Sequence, residues 1–216
     1  MQKIFFVIIF SLFFCDSAIA ENSDFIRHVW AGELTLDGLN ILKEKLRTNP
    51  DLKEIEFRNS PGAGALAGVI INEVEILINR GKLKIFARGQ CASACAFIFL
   101  MGTERTFLRS LNNVPTHLML HAERNAKTGE INYGETDRFL KKIKMASNGK
   151  LPLSILEKIY DVKNRNGGIF ITREPLKTAT GSASVFLCSG EEASLKQACK
   201  SFDGLKPENV GILIAD

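Results

Sequence analysis

The sequence predicts an α/β fold in which helices flank a largely parallel sheet. Two observations lead to this prediction. Segments with the pattern of short strands alternate with segments of helical spacing, and turns rich in Gly, Pro and Asn separate them. The 216 residues are 45% hydrophobic and 24% charged, which excludes an intrinsically disordered chain, a collagen-like repeat and a polytopic membrane protein. One domain is expected at this length.

In the first half of the chain, strand and helix patterns follow one another. Leu36, Leu39, Leu42 and Leu46 lie at the spacing of one helix face, and Pro50 closes that helix. Next comes a segment that alternates apolar and charged residues, the pattern of a strand with one buried face. The predicted elements are a strand over 28–36, a helix over 36–47, a strand over 52–57, a helix over 65–79, a strand over 82–87 and an apolar segment over 92–101.

The second half is less regular. A buried strand is predicted just before His121, and a polar loop follows it. The predicted elements are a strand over 116–120, a loop over 123–134, helices over 135–146 and 153–161, a turn over 164–168, one or two helical turns over 172–178, and strands over 185–187 and 212–214.

The chain begins with a positive residue, an apolar run and a small-residue exit, in that order. The run over 4–14 is shorter than the roughly 20 residues that a membrane-spanning helix needs. Ala18 and Ala20 then form the small-x-small pattern of a signal peptidase site. We therefore expect residues 1–20 to be a cleaved signal peptide and residues 21–216 to form a single domain. The alternative, a buried strand, is disfavoured by this order of features.

Export would leave the domain in the periplasm or outside the cell, with no stable membrane anchor after cleavage. Cys15 does not indicate a lipoprotein, because Phe13 and Phe14 before it are too bulky for a lipid-modification site. The formal net charge of +4 is small and its charges are scattered, so no nucleic-acid partner is expected.

Four cysteines remain in the predicted mature chain, and an oxidising compartment favours their pairing. Cys91 and Cys95 form one local pair, and Cys188 and Cys199 form another. Structural disulfides are the favoured interpretation, although spacing alone does not prove a bridge. A redox pair lacks the thioredoxin spacing, and a zinc site lacks ligands because the chain has three His. No metal or cofactor is expected.

Three segments could carry chemistry. The turn 60–64 lies between a strand and a helix, where backbone N–H groups can hold an oxyanion. Ser93 lies at the next strand-to-helix junction, and His121 ends an apolar strand. Each has a plainer interpretation when taken alone: an ordinary turn, a helix N-cap and a structural histidine.

In this order, the three segments resemble the Clp protease proteolytic subunit and the wider Clp/crotonase superfamily. A more specific resemblance is to exported bacterial Clp-like proteins with a Cys-x-Ser-x-Cys site. It covers roughly residues 30–180 and implies repeated ββα units with a largely parallel sheet flanked by helices. The matching stretches are Ser60-Pro61-Gly62-Ala63, Gly89-Gln90-Cys91-Ala92-Ser93-Ala94-Cys95 and Met119-Leu120-His121.

The resemblance implies a role for each matching residue. Ser93 matches the nucleophile and His121 the general base. The backbone N–H groups of Ala63 and Ala94 match the oxyanion donors. These roles are chemically consistent, because a serine attacks an acyl carbon only when a base takes its proton and donors await the oxyanion.

The third member of the family's triad has no match. Gly167 and Gly168 stand where the family has an Asp. Asp161, Asn164 and Asn166 are the nearby substitutes. An Asn can orient a histidine, but it does not stabilise an imidazolium as a carboxylate does.

Two functions therefore compete. The first is an exported serine hydrolase, expected to be a peptidase, that forms an acyl-enzyme on Ser93. The second is a catalytically degenerate module that binds peptides or a partner protein. A crotonase-type acyl-CoA enzyme is third, because export would remove its substrate. The resemblance also implies a homo-oligomer, with 135–161 as the segment for self-association.

Overall fold

The computed structural model describes residues 26–111, 113–125, 127–178, 181–192 and 199–216. The predicted signal peptide and Cys15 lie outside these residues. The predicted fold class is confirmed, since the structure is a mixed α/β arrangement with a mostly parallel sheet and flanking helices. None of the helices in the described ranges is long and apolar enough to cross a membrane.

The elements follow the predicted alternation, with different limits. The strands are β1 (Arg27–Ala31), β2 (Glu54–Ser60), β3 (Lys84–Ala92), β4 (Arg105–Phe107), β5 (His117–Leu120), β6 (Gly168–Thr178), β7 (Gly181–Cys188), β8 (Lys200–Ser201) and β9 (Leu213–Ile214). The α-helices are α1 (Leu36–Thr48), α2 (Ala67–Gly81), α3 (Ala94–Met101), α4 (Tyr133–Ala146) and α5 (Leu153–Leu156). Short 3-10 helices cover Glu157–Asp161 and Pro207–Val210.

The sheet branches at β3. Strands β1, β2 and β3 are parallel neighbours, and the far side of β3 pairs first with β4 and then with β5, both in parallel. Strands β5 to β8 continue in antiparallel order, and β9 pairs in parallel with β4. Because β2, β3 and β5 are parallel and adjacent, the segments that follow them emerge at one edge of the sheet.

Helix α3 is the centre of the core. All of its residues are buried, so the whole circumference of this helix packs against other elements. The ring of Phe97 lies 5.2 Å from that of Phe139 on α4, and Phe99 stacks on Phe107 of β4 at 5.4 Å. The first residue of α3 directly follows Ser93, so core packing fixes the position of that serine.

The prediction of helical turns over 172–178 is wrong. These residues continue β6, which pairs with β7 through Leu176 and Ala183. Pro175 falls where the register of the two strands shifts, a position at which a strand tolerates the missing N–H. Pairing with β7 overrides the local preference of a short polar segment. Two further differences are that β3 continues to Ala92, beyond the strand predicted over 82–87, and that β4 lies where the sequence predicts no element.

A buried carboxylate joins the first three strands. Glu56 of β2 is 2% exposed and accepts hydrogen bonds from Arg58 at 2.8 Å and from Arg88 of β3 at 2.9 Å. Arg27 of β1 lies 3.3 Å away. Burial acts to raise the pKa of Glu56, but the hydrogen bonds from Arg58 and Arg88 outweigh it and hold the pKa below its usual value.

Replacing Glu56 with Gln is expected to lower the free energy of unfolding at pH 7 by about 2 kcal/mol, because three guanidinium groups lose their shared anion. Since the pKa is depressed on folding, this stabilisation is present above the unfolded-state value of 4.5 and is lost as the pH falls below it. Urea unfolding from pH 7 to pH 3 measures both effects. Glu73→Gln is the matched control, since its ion pair with Lys43 is solvent-exposed, and we expect a change within about 0.5 kcal/mol. A constant difference between wild type and Glu56→Gln across this pH range would contradict the prediction.

Candidate functional site

The three motif segments meet at one cavity. Ser60, which ends β2, is in register with Cys91 of β3, and Ala92 is in register with Met119 of β5. The residues that follow these strands therefore face one another. Ala63, Ser93 and His121 all line a cavity of about 410 Å³.

Ser93 adopts a backbone conformation that is uncommon for a residue with a side chain. Its φ is 55° and its ψ is −124°, between the end of β3 and the start of α3. The Ser93 N–H donates to the Met119 carbonyl at 2.9 Å, and its carbonyl accepts from the Phe97 N–H at 3.1 Å. Its hydroxyl does not cap α3, which excludes the plain N-cap interpretation. Such strain, about 1–3 kcal/mol, persists where surrounding structure imposes it and is concentrated at functional sites.

A disulfide encloses this turn. Cys91 and Cys95 are bonded with their Cα atoms 5.2 Å apart, and both are fully buried. The second bridge joins Cys188 and Cys199, with a Cα separation of 4.5 Å. These are the two local pairs that the sequence predicted. Glu192 lies near the second pair, but sulfur atoms bonded to each other are not available as metal ligands.

The turn after β2 packs closely against Ser93. Gly62 has a φ of 104°, and a Cβ atom at this position would lie 2.7 Å from the Ser93 Cβ and 2.8 Å from the Ala92 carbonyl oxygen. Only glycine fits this position without displacing the chain. The next residue, Ala63, is thereby placed on the cavity wall.

Two backbone donors are free near Ser93. Ala94 is the first residue of α3, where N–H groups have no partner within the helix. Within the described part of the chain, the N–H groups of Ala63 and Ala94 donate to no backbone carbonyl outside a regular element. Ala63 lines the cavity with Ser93, and Ala94 directly follows the serine, so both N–H groups stay candidates for binding a negatively charged oxygen.

His121 is held by a backbone group. Its Nδ1–H donates to the Ala122 carbonyl at 2.9 Å, which fixes the tautomer and leaves Nε2 as the unprotonated nitrogen. Burial lowers the pKa of His121 below its usual value, the Ala122 carbonyl opposes this shift, and the nearby Arg124 adds to it. His121 is therefore neutral at pH 7, the form that can accept a proton.

None of the three candidate third residues is a hydrogen-bond partner of His121. Asp161 pairs with Lys158 at 3.0 Å. The Asn164 side chain donates to the Gly190 carbonyl at 3.1 Å and accepts from the Asn166 N–H at 2.9 Å.

The family's Asp has no room in this structure. A Cβ atom on Gly168 would lie 2.5 Å from the Leu120 carbonyl oxygen and 3.6 Å from the His121 Cβ. A Cβ atom on Gly167 would lie 2.4 Å from the Ser189 carbonyl carbon. Gly168 packs directly against the histidine segment, and the His121 ring has the Ala122 carbonyl as its hydrogen-bond partner.

Sequence reasoning missed a set of cations at the same cavity. Arg124, Lys163 and Arg165 line it together with Ser93 and His121. They come from the predicted loop over 123–134 and from the turn near 164–168. No periodic pattern marks a basic loop residue, and these residues become neighbours only through the antiparallel pairing of β5 with β6.

No model of a known protein family matches the chain, and no curated protein does. Among solved structures, ClpP1 from Listeria monocytogenes is similar with a TM-score of 0.47 and 17% identity, over 64% of this chain and 80% of that chain. The ClpP protease catalytic domain from Plasmodium falciparum is similar with a TM-score of 0.45 and 16% identity, over 68% and 76% of the two chains.

Proposed function

We propose that this chain is a Clp-like serine hydrolase that acts on peptides through an acyl-enzyme on Ser93. The observation that carries the proposal is the position of Ser93, strained at the start of α3 with its hydroxyl free of capping, in the same cavity as a neutral His121. A purely structural serine at a helix start is expected to cap the helix instead.

The chemistry follows from these groups. The Nε2 atom of His121 takes the proton of the Ser93 hydroxyl as Oγ attacks the acyl carbon, and the N–H groups of Ala63 and Ala94 bind the resulting oxyanion. His121 then gives the proton to the departing amine, and a water molecule repeats the sequence on the acyl-enzyme. The mechanism uses side chains and backbone groups alone.

The site is expected to be slow. The Ala122 carbonyl orients His121, but it carries no full charge to stabilise the imidazolium that forms during proton transfer. Arg124 further disfavours that cation. Loss of the carboxylate charge costs about 10⁴-fold in kcat in a serine protease triad, a worked example that sets the scale here.

Labelling with a fluorophosphonate tests the proposal on oxidised protein that lacks residues 1–20. We expect covalent labelling at Ser93, detected by intact mass and peptide mapping, and its loss in Ser93→Ala. Ser182→Ala, an exposed serine on β7, is the matched control and should label as wild type does. A folded wild type that is not labelled, or equal labelling of Ser93→Ala, would refute the hydrolase proposal.

The second candidate is a module that binds peptides or a partner protein without cleaving them. It is favoured by the hydrogen bond that gives His121 a backbone carbonyl as partner instead of a carboxylate. This candidate requires saturable peptide binding by a wild-type protein that the fluorophosphonate does not label.

We also propose that the protein is exported and is periplasmic or secreted. Two disulfides support this location, since such bonds persist in oxidising compartments. Mass spectrometry of the purified protein tests the cleavage. A mass equal to that of residues 21–216 would agree with cleavage after residue 20, and a mass that includes residues 1–20 would contradict it. Self-association through 135–161 stays a prediction.

A further inference from the structure

The charge of the cavity lining is uneven. Arg124, Lys163 and Arg165 contribute three cations, and Glu123 contributes the one carboxylate of the lining. Burial raises the pKa of Glu123, and Glu135 raises it further, so its negative charge is held less firmly than that of an exposed carboxylate. The cavity beside Ser93 is therefore positive.

Arg124 is fixed in place without an ionic partner. Its Nη1 donates to the Gly129 carbonyl at 3.0 Å, and its Nη2 donates to the Val162 carbonyl at 3.1 Å. Its Nε atom is buried and has no hydrogen-bond partner. Among the described residues, no carboxylate lies within ion-pair distance of Arg124, so the guanidinium charge is unneutralised.

The segment that directly follows Val162 carries the other two cations. Lys163 pairs with Glu191 at 2.5 Å, but both side chains are more than half exposed, and such pairs contribute little. Arg165 follows in the same turn, and the described residues place no carboxylate within ion-pair distance of it either. Two arginines without an ion-pair partner among the described residues thus line the cavity.

A second cavity adjoins the first. It shares Gly64, Glu123, Arg124 and Asn125 with the first cavity, and it adds Lys127 and Glu130, whose charges balance. Arg124 stands where the two cavities join, so a ligand group bound there has room on both sides. Each Nη atom of Arg124 carries a second N–H besides the one given to a carbonyl, and a guanidinium held in a partly desolvated cleft attracts a carboxylate.

We propose that Arg124, assisted by Arg165, makes this site selective for peptides that carry a carboxylate next to the bond presented to Ser93. The chemical step rests on the proposed hydrolase function, whereas the binding preference does not. The carboxylate could be an acidic side chain or the free carboxyl end of a peptide. Both present the same group to Arg124.

Binding to the Ser93→Ala variant separates recognition from catalysis. The probes are fluorescent hexapeptides in two matched pairs: one pair differs by Glu or Gln at a central position, and the other by a free carboxyl end or a carboxamide. Fluorescence anisotropy measures each Kd. We expect at least one acidic member to bind about tenfold more tightly than its neutral match, and the pair that shows this identifies the source of the carboxylate.

Variants in the Ser93→Ala background identify the residues. Arg124→Gln and Arg165→Gln should each remove much of the preference, and Arg124→Lys should keep part of it. Arg80→Gln, at an exposed position on α2, is the control and should leave the preference unchanged. If circular dichroism shows that Arg124→Gln does not fold, Arg165→Gln alone tests whether the arginines cause the preference.

Equal binding of acidic and neutral peptides would overturn the proposal, and so would a preference that survives both Gln variants. The two proposals fail in different ways. Absence of fluorophosphonate labelling would refute the hydrolase proposal without affecting a measured preference for acidic peptides. Labelling without such a preference would refute the proposed selectivity without affecting the hydrolase proposal.

Discussion

Replacing His121 with Ala is expected to lower the rate of fluorophosphonate labelling of Ser93 by about 10³-fold. The reason is that the proposed mechanism uses the Nε2 atom of His121 as the general base, and His121 lines the same cavity as Ser93. A time course of labelling, quenched at set times and quantified by mass spectrometry, gives the second-order rate constant. His117→Gln is the matched control, because His117 lies on β5 and is hydrogen-bonded to the Pro115 carbonyl, outside the cavity lining.

The pH dependence of labelling gives the same prediction a second readout. Burial lowers the pKa of His121 below its usual 6.5, so the neutral base is present throughout the neutral range. The rate should therefore rise with pH through a midpoint below 6.5 and then become level. His121→Ala should lack this inflection. A midpoint above 6.5, or an unchanged profile in His121→Ala, would show that another group acts as the base.

Gly62→Ala is expected to have the second large effect. The new Cβ atom would meet the Ser93 Cβ and the Ala92 carbonyl oxygen at well under van der Waals distance, at a φ of 104° that an L-residue rarely adopts. We expect a loss of about 2–4 kcal/mol in the free energy of unfolding. Displacement of the adjacent Ala63 N–H should also slow labelling by about 10²-fold. Urea unfolding and labelling kinetics measure the two effects.

Gly64→Ala is the matched control within the same turn. A Cβ atom on Gly64 would meet only the end of the Glu33 side chain, at an ordinary 3.5 Å, and Gly64 has no positive φ. Its stability should change by less than about 1 kcal/mol. If the two alanine variants were equally stable and equally reactive, the close packing of Gly62 against Ser93 would not be needed for the site.

The sequence predicted the features that local patterns encode. The glycine turn, Ser93 and His121 each follow a strand pattern, so the parallel order of the strands was enough to bring them to one edge of the sheet. The prediction of helical turns over 172–178 was wrong because the conformation of these residues depends on pairing with β7, which no local pattern reveals. The cations were missed for a similar reason, since Arg124 and Arg165 lie 41 positions apart in the chain and meet only at the cavity.

The group that orients His121 could not be predicted from residue types at all. The sequence offers the side chains of Asp161, Asn164 and Asn166 as partners, whereas His121 donates to the Ala122 carbonyl. A carbonyl is common to every residue, so only the path of the chain shows which one is aimed at a histidine.

That path has a consequence for how the protein can change over evolutionary time. A carboxylate partner can be lost by a single codon change, whereas a backbone carbonyl survives any substitution that preserves the local torsion angles. Substitutions at Asp161 or Asn166 would therefore leave the tautomer of His121 intact. Selection on the histidine's orientation would act instead on the residues that hold the 120–122 backbone, including Gly168, which packs against it.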